Sequence, residues 1–145
     1  MTRDIDIIIQ IIEPDMDKFV LAFEKHFYLD RRSIVEALEY QRMFNIINLD
    51  NGFKIDFIVL KNSSYRQTEF QRKRRVIFNG VEVWIVSPED LIISKLDWAK
   101  DSMSEMQMRD VKNLLATLKN LDKTYLHEWV QTLQLDAIYA KVGEA

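Results

Sequence analysis

Residues 1–10 read MTRDIDIIIQ, and residues 53–60 read FKIDFIVL. Ile5, Ile7, Ile8 and Ile9 are β-branched and apolar, so the first stretch predicts a strand buried on both faces. Side chains at i and i+2 of a strand project to one side, with Cα atoms about 6.5 Å apart. Asp4 and Asp6 therefore present two carboxylates side by side at the start of that strand. Like charges held so close repel, and desolvating them is costly unless a cation lies between them. Asp56 sits in the middle of the second, equally apolar stretch, where a lone carboxylate is also costly. If the two strands are neighbours, Asp4, Asp6 and Asp56 converge on one point. Three carboxylates suit Mg²⁺, a hard cation that takes oxygen ligands and bridges protein carboxylates to phosphates. Two such ions about 3.5–4 Å apart activate an attacking oxygen and stabilise a leaving one. The plainer alternative leaves Asp4 solvated near the terminus, with Asp56 capping a turn or paired to Lys54 on the same strand face.

The 145 residues suffice for one domain with a real core. With 48% hydrophobic and 30% charged residues, the composition is that of an ordinary globular protein. Three Gly and two Pro leave little room for long linkers. No apolar run approaches the roughly 20 residues that span a bilayer, and a signal-peptide pattern is lacking. Cysteine is absent, which excludes disulfides and thiolate metal sites; a cytoplasmic location is expected. The net charge of −3 argues against a general nucleic-acid coat protein.

Working outward, Pro14 and Asp15 start a helix with Phe19, Val20, Phe23 and Phe27 at helical spacing. Ser33 to Glu36 fits a capping box and predicts a second helix from Ser33. Residues 43–49 and 53–60, joined by Asp50-Asn51-Gly52, predict a hairpin. In its second arm Lys54, Asp56, Ile58 and Leu60 share one face, and Phe53, Ile55, Phe57 and Val59 the other. Residues 63–73 are polar, helical or looped, and residues 75–86 form another strand pair around Asn79-Gly80. From Ser87 the pattern turns helical: Ser87-Pro88-Glu89-Asp90 supplies an N-cap and a proline at the first helical position. Helices are predicted to about Lys100, from Ser104 to Lys119, and after the cap Asp122, with a short fourth closing the chain. The fold class is α+β: a sheet region over residues 1–86, then a helical region over residues 87–145 packed on it as one compact unit.

At these residues the chain resembles a known family. Thr2-Arg3-Asp4-Ile5-Asp6-Ile7 followed by Lys54-Ile55-Asp56-Phe57 is similar to the acidic signature of the DNA polymerase β-like nucleotidyltransferase superfamily. The segments SPEDLIISKLDWAK and QMRDVKNLL resemble bacterial nucleotidyltransferases of the abortive-infection (AbiEii-like) toxin group. The resemblance implies a small mixed sheet of the nucleotidyltransferase type with flanking helices. It also implies Mg²⁺-dependent transfer of a nucleotidyl group from a nucleoside triphosphate to a hydroxyl of RNA, protein or a small molecule. Asp4, Asp6 and Asp56 would be the metal ligands, Asp56 also helping to deprotonate the acceptor. Lys95 would contact nucleotide phosphates and Asp110 would orient it, the two lying on successive helices. Members of the superfamily carry a Gly-Ser motif before the D-x-D, and no counterpart stands in order here. Poor transfer by this 145-residue polypeptide is therefore expected, with apolar sheet surface left open for a homodimer. A catalytically degenerate member, binding a protein partner or nucleic acid, is the alternative. Metal-dependent nuclease chemistry ranks third, because Glu82-Val83-Trp84 lacks the lysine of that pattern.

The run Gln71-Arg72-Lys73-Arg74-Arg75, with Arg66 nearby, offers charge for nucleic-acid phosphates, though a solvated loop or protected edge strand is the commoner use. His26 and His127 are isolated and take no role. Trp84, Trp98 and Trp129 are expected in the core.

Overall fold

The computed structural model describes the backbone of residues 4–144 and the side chains of residues 5–143. It is α+β, and it divides into two units, residues up to Phe70 and residues from Gln71 onward. In the first unit β1 (Asp4–Ile9) leads through a 3₁₀ turn (Glu13–Asp15) into α1 (Met16–Phe23). β2 (Phe27–Tyr28), α2 (Arg31–Tyr40), β3 (Met43–Asn48), β4 (Lys54–Val59) and α3 (Ser64–Gln71) follow. The sheet order is β1-β4-β3-β2. β1 runs parallel to β4, while β3 is antiparallel to both β4 and β2, so the sheet is mixed.

The hairpin of β3 and β4 forms for local reasons. Asn48 Oδ1 accepts from the N–H groups of Asp50 and Asn51, Asn51 Oδ1 accepts from Phe53 N–H, and Gly52 takes the left-handed φ of +71°. Along β3 exposure alternates residue by residue, with Phe44 and Ile46 buried between exposed neighbours. Those two, with Phe57 and Val59 of β4, meet Phe19 and Val20 of α1 and Ile34 and Ala37 of α2 in one core. The rings of Phe19, Phe44 and Phe57 lie 5.0 to 5.5 Å apart between centroids. Such aromatic pairs add about 0.5–1.5 kcal/mol each beyond their area burial.

Three local expectations change. β1 is not buried on both faces: it is an edge strand, with Ile5 59% and Ile7 38% exposed. Ile9 packs against the core, so α1 and α2 cover only the C-terminal end of that strand. Phe27 leaves the α1 face, since α1 ends at Phe23 and Phe27 pairs with Asn48 as part of β2. Its ring still meets Phe23 edge-on at 5.6 Å, so the same apolar contact is reached from a strand. Helix α2 begins before Ser33, because Asp30 is a better-placed cap: its carboxylate accepts from Arg32 N–H, Ser33 N–H and the Ser33 hydroxyl. That hydroxyl above all, with the Ser33 N–H, holds the Asp30 carboxyl below the usual aspartate range.

The second unit opens with β5 (Arg74–Phe78) and β6 (Val81–Ile85), an antiparallel pair forming its own two-stranded sheet. Asn79 and Gly80 both take positive φ, the geometry of a two-residue hairpin turn matched to strand twist. The pair does not extend the four-stranded sheet, although the sequence suggested one sheet region through residue 86. Helices α4 (Pro88–Ser102), α5 (Glu105–Thr117), α6 (Lys123–Thr132) and α7 (Asp136–Glu144) follow. Ser87, Ser104 and Asp122 each cap a helix with a side-chain oxygen. The buried side chains of Ile92, Ile93, Leu96, Val111, Leu126 and Leu135 fill the space among these helices. Trp84 and Trp98 are not core residues, at 58% and 45% exposed, and Trp129 is half-buried against Tyr125. Among the described residues no helix is long and apolar enough to cross a membrane.

Candidate functional site

The parallel register of β1 and β4 sets Asp6 directly beside Asp56, and Asp4 beside Lys54. Register partners on adjacent strands project to the same face, with strands about 4.8 Å apart. On the other side of β4, Asn45 of β3 pairs with Asp56. One face thus carries a row of three oxygen-bearing side chains, Asp6, Asp56 and Asn45, across three strands. Asp4 shares that face by its place in the strand, though its side chain lies outside the described residues. Asp56 occupies the middle of the row because the β3–β4 hairpin turns its alternate positions, Ile55, Phe57 and Val59, into the aromatic core.

The environment of Asp56 is unusual. The residue is only 6% exposed, and its Oδ2 lies 3.0 Å from the Nζ of Lys54, two residues earlier on the same strand face. Its other oxygen, Oδ1, is buried and has no hydrogen-bond partner among the described residues. A buried carboxylate oxygen left without a donor costs free energy, so the site is suited to a ligand that supplies positive charge. Among the described residues, which leave out the Asp4 side chain, no group of three or more His, Cys, Asp or Glu side chains is arranged to hold a metal ion. The donors present nevertheless fit a hard cation: two carboxylates and an amide oxygen, with one carboxylate oxygen unengaged.

Lys95 and Asp110 lie in the second unit and meet there. Lys95 Nζ donates to Asp110 Oδ2 at 2.9 Å and to Gln107 Oε1 at 3.0 Å, tying α4 to α5. The lysine side chain is 19% exposed and the aspartate 43%. The sequence reading overlooked Gln107; its position three residues before Asp110, one turn earlier on the same helix face, was the available signal.

The basic run does something the sequence reading did not assign. The Arg72 guanidinium stacks 3.7 Å from the Tyr125 ring centroid, with Nε 3.1 Å from Asp90 Oδ2 and Nη2 3.5 Å from Glu89 Oε2. Arg74 approaches Glu89 at 3.6 Å, Arg75 pairs with Glu82 at 3.4 Å, and Arg66 pairs with Glu69 at 2.9 Å. Asp90 is wholly buried; it also accepts from the Tyr125 hydroxyl at 2.6 Å and from the Ser87 hydroxyl. Glu89, 2% exposed, accepts from the Asp122 N–H at 3.0 Å. The acids of the Ser87-Pro88-Glu89-Asp90 segment therefore bind Arg72, ahead of β5, and Arg74, at its start, to the caps of α4 and α6. That is a structural use of the charge.

Burial works against both ions in this network, and the partners outweigh it. Arg72 is raised above the ordinary arginine value through its hydrogen bond to Asp90 and the charges around it. Glu89 is lowered by its backbone N–H bonds and by Arg74 and Arg72. A carboxyl with a lower pKa folded than unfolded adds stability that is complete above the ordinary glutamate value. That stability is lost as the pH falls from there through the depressed folded value. The urea midpoint should therefore hold level near neutrality and fall below about pH 5, and Glu89→Gln should flatten that acid limb. An unchanged limb in the variant would locate the acid sensitivity elsewhere.

Compared with known proteins, the chain matches no protein-family model and no curated protein.

Proposed function

We propose that the protein is a nucleotidyltransferase-like, Mg²⁺-dependent enzyme that moves a nucleotidyl group from a nucleoside triphosphate to a hydroxyl acceptor. The observation that carries the reading is the buried, partnerless Oδ1 of Asp56 in register with Asp6 on one sheet face. The likeness of the Asp4-Ile5-Asp6 and Ile55-Asp56-Phe57 segments to the superfamily's acidic signature supports it. Asp4, Asp6 and Asp56 would hold the metal, which supplies charge neutralisation of the triphosphate and activation of the acceptor oxygen. Asp56 would in addition accept the acceptor's proton, a task for a carboxylate fixed within hydrogen-bond reach. Lys95 would contact the nucleotide phosphates and Asp110 would orient it; the hydrogen bond between them supports that pairing. RNA, protein and small-molecule hydroxyls remain the acceptor classes, in a cytoplasmic protein free of the membrane.

A second reading, a non-catalytic member that binds a partner, draws on the contact between Lys54 and Asp56, since an ammonium already engages one oxygen of the carboxylate that a metal would use. Calorimetric titration with Mn²⁺ and with Mg²⁺-ATP and Mg²⁺-CTP, beside transfer of label from α-labelled triphosphates to bulk RNA and protein, separates the two. Weak metal-dependent nucleotide binding with slow label transfer is the expected result, since no counterpart of the Gly-Ser motif stands in order. Absence of both metal and nucleotide binding would overturn the enzymatic reading.

A further inference from the structure

Lys54 and Asp56 stand at i and i+2 of β4, so their side chains share the acidic face. The ammonium takes one carboxylate oxygen of Asp56, at 3.0 Å, and leaves the other buried and unpartnered. An arginine would have engaged both oxygens with its planar fork; lysine is a compact point charge on a flexible stem and engages one. The Lys54 side chain is 37% exposed while that of Asp56 is 9% exposed, so the cation has a route to solvent that the anion lacks. The contact is an ion pair that neutralises Asp56 but does not saturate it.

We propose that Lys54 is a resident counter-cation of the acidic row, standing in for a divalent ion and giving up Asp56 when that ion binds. The inference rests on the metal-binding reading of Asp6 and Asp56. A divalent cation bound between Asp6 and Asp56 takes up the free Oδ1 and brings two positive charges close to the ammonium. Repulsion then favours swinging the lysine stem outward, where water solvates its head group. Lys54 thus offsets the Asp56 charge without metal, and it lowers the site's affinity for metal because its departure has a cost. The residue sets the metal concentration at which the site fills.

The test compares Mn²⁺ affinity, by calorimetry and by the electron paramagnetic resonance signal of free Mn²⁺, between the native protein and Lys54→Met. Methionine keeps the apolar stem and removes the charge. Removing a like charge so close to the bound ion should tighten Mn²⁺ binding roughly tenfold. In chelator the variant should melt below the native protein, and saturating Mn²⁺ should raise its Tm by more than it raises the native one. Lys54→Gln, with circular dichroism as the folding control, serves as the second variant and should shift affinity in the same direction. Binding by both variants with none by the native protein would also support the proposal, since Lys54 would then hold the site closed. Native-like or weaker Mn²⁺ affinity in both variants, with the native protein binding, would overturn the role of Lys54 and leave the metal site standing. No binding by any of the three proteins would overturn both.

Discussion

Asp56→Asn is expected to abolish Mn²⁺ binding and to reduce any nucleotidyl transfer by about a hundredfold or more, near 3 kcal/mol of transition-state stabilisation. The substitution keeps the size of the side chain and leaves an oxygen for Lys54, but removes the negative charge a hard cation requires. Its effect on folding should run the other way. In the metal-free protein Asp56 holds a charge that is 6% exposed with one oxygen unsatisfied, and that arrangement is costly. Asparagine relieves the cost, so Tm measured in chelator should stay level or rise. Loss of metal binding with retained or improved stability marks a residue kept for chemistry rather than for the fold. A large fall in Tm with Mn²⁺ affinity intact would show that Asp56 serves packing.

Arg72→Ala should destabilise the second unit by about 3 kcal/mol, the low end for breaking a buried pair because Arg72 is itself one-third exposed. Its guanidinium stacks on Tyr125 and reaches both Asp90 and Glu89, which are 0% and 2% exposed. Without it, the buried Asp90 loses the guanidinium at 3.1 Å while the Tyr125 and Ser87 hydroxyls stay in place. Arg72→Lys should recover only part of the loss, because lysine restores charge without the planar fork or the stacking surface. Chemical denaturation of both variants, followed by the far-ultraviolet helix signal, checks the order. A lysine variant as stable as the native protein would show that net charge alone satisfies the two acids.

The two arginine-rich and acid-rich segments show why charge patterns mislead when read locally. The partners of Arg72, namely Glu89, Asp90 and Tyr125, lie 17, 18 and 53 positions further along the chain. Hydropathy and spacing carry no information about a pairing at that separation. Trp84 shows the same limit. Its aromatic character predicted a core position, but among the described residues β5 and β6 form a sheet of two strands, and Trp84 stays 58% exposed with Lys73 over its ring.

What the sequence by itself determined lies within one element or one turn. Period-2 alternation separated Lys54, Asp56 and Ile58 from Ile55, Phe57 and Val59, and Asn51-Gly52 specified the hairpin. Ser87, Ser104 and Asp122 marked three helix starts, since a cap needs only a side-chain oxygen within three residues of a free N–H. The α+β class follows from those signals. Tertiary structure alone decided that β1 is an edge strand and that Asp6 pairs with Asp56 rather than with a neighbour one residue away. Strand order and register depend on which distant surfaces bury together, and a one-residue slip would carry every side chain of β1 to the other face. Two acids on separate strands become one site only when the sheet has chosen that register.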